Sequence, residues 1–147
     1  MSEMLGNYHF LVRNYSLAIK PLEKIIEGEP GEKKAKKKLI VCYTQTGQLE
    51  KALNLFYELI REDFDCIINT NPESEDCPCP HLTKDLECGL IERDDEYELD
   101  IELGILWLYC SKEKSAEYFC KAQKLNPADK RISSIIEILK PESKTQN

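Results

Sequence analysis

Glycine, histidine and tryptophan are all scarce in this chain: among its 147 residues are 6 Gly, 2 His and 1 Trp. There is no Gly-rich phosphate loop and no G-x-S-x-G nucleophile elbow. Carboxylates are plentiful, but they lie in runs rather than in an apolar pocket that would tune an acid–base pair. Enzyme activity is therefore not expected. No stretch approaches the ~20 apolar residues that a membrane span needs, so no membrane partner is expected. The opening residues, Met1-Ser2-Glu3-Met4, carry no basic n-region and no long apolar h-region, and no secretory signal is read there.

What the chain does have is charge, at 32% of residues, with a net balance of −7 that is unevenly spread. Residues 63–102 hold 14 Asp/Glu against 2 Lys/Arg, a local balance of −12, and the remainder sums to +5. The acidic block argues against nucleic acid as a partner, which asks for a net basic footprint. Lys33, Lys34, Lys36, Lys37 and Lys38 form one dense basic stretch. The bland reading of both blocks is solvated helix and loop surface. Seven cysteines are many for this length, yet the count is odd and no export signal is read. Reduced thiols in a cytoplasm fit better than a disulfide framework.

The strongest pattern is a repeat. Leu5, Tyr15, Ala18 and Leu22 return as Leu39, Leu49, Ala52 and Phe56, each 34 positions on, and the Leu-to-Ala interval of 13 appears again at Leu103 and Ala116. Such a period, with small and large apolar residues at fixed offsets, marks a helix–turn–helix unit that buries its apolar face by stacking on its neighbours. The first unit carries Leu5-Gly6, Ala18-x3-Leu22 and Pro30, with His9 where an aromatic belongs. The second carries Leu39, Tyr43, Gly47 and Ala52-x3-Phe56, with Ile40 for the glycine. The third carries Leu103-Gly104, Trp107, Ala116 and Asn126-Pro127. Its Ala-to-Pro distance is 11 where the first unit has 12, which leaves the register open by one residue around Ser115 to Ala122. The pattern resembles the tetratricopeptide (TPR) family, over about two-thirds of the chain. The resemblance implies an all-α, right-handed helical solenoid of three helix pairs plus a C-terminal capping helix.

The expected organisation follows. Residues 1–64 make two TPR-like pairs, 65–94 an acidic insertion containing Cys and Pro, 95–127 the third pair, 128–140 the capping helix and 141–147 a flexible tail. Ser2 to Arg13 reads as a helix with Leu5, Tyr8, His9 and Val12 on its apolar face. Pro21 should kink the second helix, and Gly47 should close the third. Leu49 to Asp63 carries an apolar stripe through Ala52, Leu53, Phe56, Leu59 and Ile60, with Glu50, Asn54, Glu58 and Arg61 on its wet side. Asn126-Pro127 reads as N-cap and N1 of the last helix, which stops at Pro141.

The insertion holds the sharpest local motif, Cys77-Pro78-Cys79-Pro80-His81, between Cys66 and Cys88. Cys66, Cys77, Cys79, His81 and Cys88 are candidate zinc ligands, though Cys-x-Cys is not the usual Cys-x2-Cys spacing. A plain ordered loop, with Cys66 and Cys88 as small apolar fillers, is the bland alternative. A redox dithiol at Cys77 and Cys79 is a third reading, opposed by the acidic neighbours Glu73, Glu75 and Asp76. Cys42, Cys110 and Cys120 read as core residues.

The resemblance also places a partner-binding groove on the first helix of each pair. It draws Asn7 and Phe10 from the first unit, with Lys34, Lys37, Lys38, Val41, Thr44 and Gln45 from the second. The third contributes Glu98, Ile101, Glu102, Ile105 and Tyr109. The expected activity is that of a non-enzymatic adaptor holding a protein segment of basic and apolar character. The bland alternative is that Ile101, Ile105 and Tyr109 are core. A metal- or redox-responsive regulator built on the cysteine loop is the second class, and self-association through repeat ends is open to any short solenoid.

Overall fold

The computed structural model describes residues 2–140, so the expected tail 141–147 and the stop at Pro141 lie outside the described residues. Among those residues there are nine helices and no strand. They form two compact units, Met1–Cys79 and Pro80–Asn147, and the division falls inside the stretch read as an insertion. Within the described residues no helix is long and apolar enough to cross a membrane.

The first unit contains α1 (Ser2–Leu11), α2 (Tyr15–Gly28), α3 (Lys33–Gln45), α4 (Leu49–Asp63) and the single turn α5 (Asp65–Ile68). Each helix packs on the next, α1 on α2, α2 on α3 and α3 on α4. The two hairpin turns close in the same way. The Gln48 N–H donates to Tyr43 O at 3.0 Å over Gly47 at φ 73, and the Asn14 N–H donates to His9 O at 2.8 Å over Arg13 at φ 63. Both are left-handed helix ends. Gly47 adopts that conformation freely, whereas Arg13, one period earlier, does so at a cost of about 1 kcal/mol. α2 runs through Pro21 as one helix. The carbonyl that Pro21 leaves unbonded is that of Leu17, an exposed residue, where water can take the bond.

The small residues of the repeat sit where helices cross. Ala18 and Ala52 are fully buried with Leu22 and Phe56. Gly6 lets α1 come so close to α2 that a Cβ there would stand 3.0 Å from the Leu22 side chain. That approach turns α1 away from the expected orientation. Gly6 and Phe10 face inward, while Leu5, Tyr8 and Val12, read as the buried face, are exposed together with Met4 and Leu11.

The second unit contains α6 (His81–Glu87), α7 (Glu96–Trp107), α8 (Lys112–Leu125) and α9 (Lys130–Leu139). Asp95 caps α7 by accepting from the Glu98 N–H at 3.0 Å, and Ser111 caps α8 by accepting from Lys114 N–H at 3.2 Å. α9 starts later than expected. Asp129, not Asn126, is its cap and accepts from Arg131 N–H at 3.0 Å, while Asn126 ends α8. Ile132, Ile135 and Leu139 then bury its apolar face.

The open register of the third pair resolves one residue upstream. Ser115, not Ala116, is fully buried at the α7–α8 crossing, and its hydroxyl donates to Gly104 O at 2.6 Å. Ser115-x3-Phe119 is thus the small–large pair, with the Phe119 ring 2.8 Å from where a Gly104 Cβ would be. The shift also corrects two cysteines. With Ser115, Phe119 and Ala122 inward, Cys120 is carried to the outer face, and Cys110 lies in the turn; both are exposed.

Candidate functional site

The first-helix residues expected to form an open groove are largely occupied by the chain itself. The Lys37 Nζ lies 2.5 Å from the Glu75 carboxylate with both side chains mostly buried. Lys33 pairs with Asp63 at 2.9 Å, and Lys36 stands 3.9 Å from Glu62. The Lys38 Nζ donates to Asn7 Oδ1 at 2.7 Å and lies 5.7 Å from the Phe10 ring centroid. Burial pushes its ammonium pKa down despite nearby Asp76 and Glu75. Phe10, Val41 and Thr44 are buried and Gln45 half-buried, leaving Lys34 as the exposed member of the α3 set. The space beside Asn7, Lys34 and Lys38 is about 60 Å³, room for little more than water.

The segment that occupies this face is the first half of the expected insertion. Asn71 Oδ1 accepts from the Glu73 and Ser74 N–H groups at 3.0 and 3.1 Å, and Cys77 N–H donates to Pro72 O at 2.9 Å, closing a compact turn. The Arg13 guanidinium donates to Asp76 O at 2.5 Å and to Phe10 O at 3.4 Å. Burial opposes ionisation of Glu75, but the Lys37 hydrogen bond and the Asn71 amide outweigh it and hold the carboxyl below its ordinary value. An acidic turn is therefore fastened to α3 by the Lys37–Glu75 ion pair and to the α1–α2 corner by the Arg13 bond to a backbone carbonyl.

The third-unit patch is closed as well. Ile101, Ile105 and Tyr109 are core, as the bland alternative has it, and Glu102 is only 3% exposed. Glu102 takes a bidentate bond from the Arg93 guanidinium at 2.9 and 3.1 Å, so its charge is spent inside the chain. Of that set only Glu98 is exposed. A second polar hub lies nearby in the sequence. Glu87 Oε2 accepts from Trp107 Nε1 at 2.9 Å and the Tyr118 hydroxyl at 2.6 Å, with Lys114 Nζ at 3.3 Å, tying α6 to α7 and α8.

An open groove exists elsewhere in the first unit, on the second helices of its pairs. It has a volume of about 530 Å³ and is lined by Glu23, Ile26 and Glu27 of α2, Leu39 and Tyr43 of α3, and Lys51, Asn54, Leu55 and Glu58 of α4. Ile26, Leu39 and Leu55 supply apolar surface. Three carboxylates against one lysine give the lining a negative balance. The Tyr43 hydroxyl donates to Glu23 Oε2 at 2.5 Å, and Lys51 Nζ lies 5.6 Å from the Tyr43 ring centroid. Burial, reinforced by Glu23, raises the Tyr43 pKa, so this hydroxyl stays a neutral donor. Sequence reading missed this site, although Glu27, Asn54 and Glu58 are all polar positions on amphipathic helices.

All seven cysteines are free thiols. Of the candidate ligands, Cys88 and His81 are exposed and Cys66 is half-buried, and no group of three or more His, Cys, Asp or Glu among the described residues is arranged to hold a metal. Cys77 and Cys79 do meet. No protein-family profile matches this chain, and no curated protein or solved structure does either.

Proposed function

We propose that this chain is a non-enzymatic, TPR-like adaptor that holds a segment of a partner protein carrying at least one cation and one apolar anchor. The observation that carries the reading is the α2–α4 groove. Its 530 Å³ lies in the range of sites that enclose a ligand, and it combines an apolar floor with a net negative rim. The rim would speed encounter and select by charge, while Ile26, Leu39 and Leu55 would supply the holding contacts. The two small–large crossings, Gly6–Leu22 and Gly104–Phe119, and the burial of Ala52 and Phe56 together on α4 support the TPR resemblance. A right-handed stack of the three pairs is part of the proposal. A cytoplasmic home fits seven free thiols.

A panel of synthetic peptides with Lys or Arg near one Leu or Phe, matched to charge-reversed copies, tests the reading. Basic–apolar peptides should bind the full chain and weaken with salt. Glu27→Lys/Glu58→Lys changes two exposed positions and should cost about tenfold in affinity, roughly 1.4 kcal/mol. Equal binding of acidic copies, or an unchanged affinity in the double variant, refutes it.

A further inference from the structure

Cys77 is unlike Cys42 and Cys66 of the same unit. Burial pushes the Cys42 thiol up to about 12 and raises Cys66 as well. Cys77 goes the other way, because its sulfur accepts hydrogen bonds from both the thiol and the backbone N–H of Cys79, with Arg13 and Lys37 adding positive charge. Of the acidic neighbours expected to oppose this, Glu73, Glu75 and Asp76, Glu75 is paired to Lys37, and the Asp76 backbone is tied to Arg13. The cysteine loop is thus held by two cations that reach it from α1–α2 and α3. Tyr15 faces the same cluster, with burial raising its phenol to about 12, so it adds no competing charge. Cys77 is half-buried and Cys79 only 2% exposed. A small reagent can reach the first sulfur, while the second is kept back from solvent in hydrogen-bond contact with it.

We propose that Cys77 and Cys79 are a reversible dithiol–disulfide site, in which Cys77 reacts with hydrogen peroxide and Cys79 resolves the product. The Cys77 thiolate sulfur bonds to one peroxide oxygen as the O–O bond breaks. The departing hydroxide takes up a proton and leaves as water, and Cys77 is now a sulfenic acid. Cys79 gives its proton to solvent and attacks the Cys77 sulfur. The S–S bond forms, the S–O bond breaks, and the hydroxide released is protonated to a second water. Two thiols lose two electrons and the peroxide gains them. A disulfide across a single intervening residue is constrained, and constrained disulfides are readily reduced by thiol–disulfide exchange. The cycle therefore closes with any dithiol reductant. This site is independent of the α2–α4 groove and stands or falls separately.

The test uses the full chain, a brief exposure to hydrogen peroxide, a maleimide quench and cleavage before Asp residues. The fragment spanning residues 76–84 contains Cys77 and Cys79 and no other cysteine. It should lose two hydrogens, refuse the maleimide, and regain both thiols on treatment with dithiothreitol. It should do so about tenfold faster than the exposed thiols Cys110 and Cys120 are oxidised, because Arg13 and Lys37 favour the Cys77 thiolate. In Cys79→Ser, the sulfenic acid should persist on Cys77 and be captured by a 1,3-diketone. In Cys77→Ser, the fragment should stay reactive to maleimide. The proposal is overturned if the wild-type fragment keeps both thiols while Cys110 and Cys120 oxidise, an outcome that needs no variant to fold.

Discussion

The α1–α2 and α7–α8 hairpins carry the same Leu-Gly signature and bury it differently. Leu5 and Leu103 each precede a glycine that admits a large side chain from the following helix, yet Leu5 is 48% exposed and Leu103 2%. α7 is buried at every position from Asp100 to Trp107, whereas α1 shows Met4, Leu5, Tyr8 and Leu11 to solvent. The difference teaches what the signature encodes. The glycine fixes how closely two helices of one hairpin approach. It says nothing about what covers the outward side. In the second unit α6 packs on α7, secured by Glu87 and Trp107, and α9 packs on α8. Exposed apolar side chains clustered on one helix are the usual mark of an interaction surface.

Replacing each leucine is the most direct way to break the comparison. Leu103→Ala should destabilise by about 2–5 kcal/mol through lost burial and a residual cavity, and Leu5→Ala by about 0.5 kcal/mol or less. Urea unfolding of the two variants measures both, and equal losses would mean that α1 is covered in solution. The glycines give the next largest contrast. Gly104→Ala puts a Cβ 2.8 Å from an aromatic ring boxed in by Ser115 and α7, and should cost about 1–3 kcal/mol. Gly6→Ala meets the Leu22 side chain at 3.0 Å, a looser approach than that of the Phe119 ring, and should cost less. Thermal melts of the pair should keep that order.

The smallest effect comes from Asp100, which α7 buries near Glu96 with Lys121 as its counter-charge. Burial, then Glu96, raises its pKa above the ordinary 3.8. A carboxyl raised on folding is penalised when charged, so the cost is present at neutral pH and disappears as pH falls below the unfolded value. Asp100→Asn should gain about 0.5–1 kcal/mol at pH 7, and the gain should close by about pH 3. Chemical denaturation at the two pH values gives the sign.

The sequence carries the helices well where local rules suffice. Leu49–Asp63 has the expected bounds because its amphipathic period is a local signal. The third-pair register was also within reach, since counting 12 back from Pro127, as in the first unit, lands on Ser115. The site was less legible. Lysines spaced along one helix face read as a basic groove, but Glu75, 38 positions on from Lys37, fills that role from within. Likewise, the charges around Cys77 cannot be judged from its acidic neighbours. The groups that decide them, Arg13 and Lys37, lie 64 and 40 positions away. Long-range pairing sets these sites, and residue spacing holds no record of it.

The ring of Phe119 resting over the bare Cα of Gly104 has a mechanical meaning too. Sliding α8 along α7 by one turn would bring the ring onto Ile101 or Trp107, where a side chain already fills the space. The two rods can then hinge apart or travel together, but they cannot ratchet past each other. A load that slides one helix of this hairpin along the other must therefore first part the Phe119 ring from Gly104.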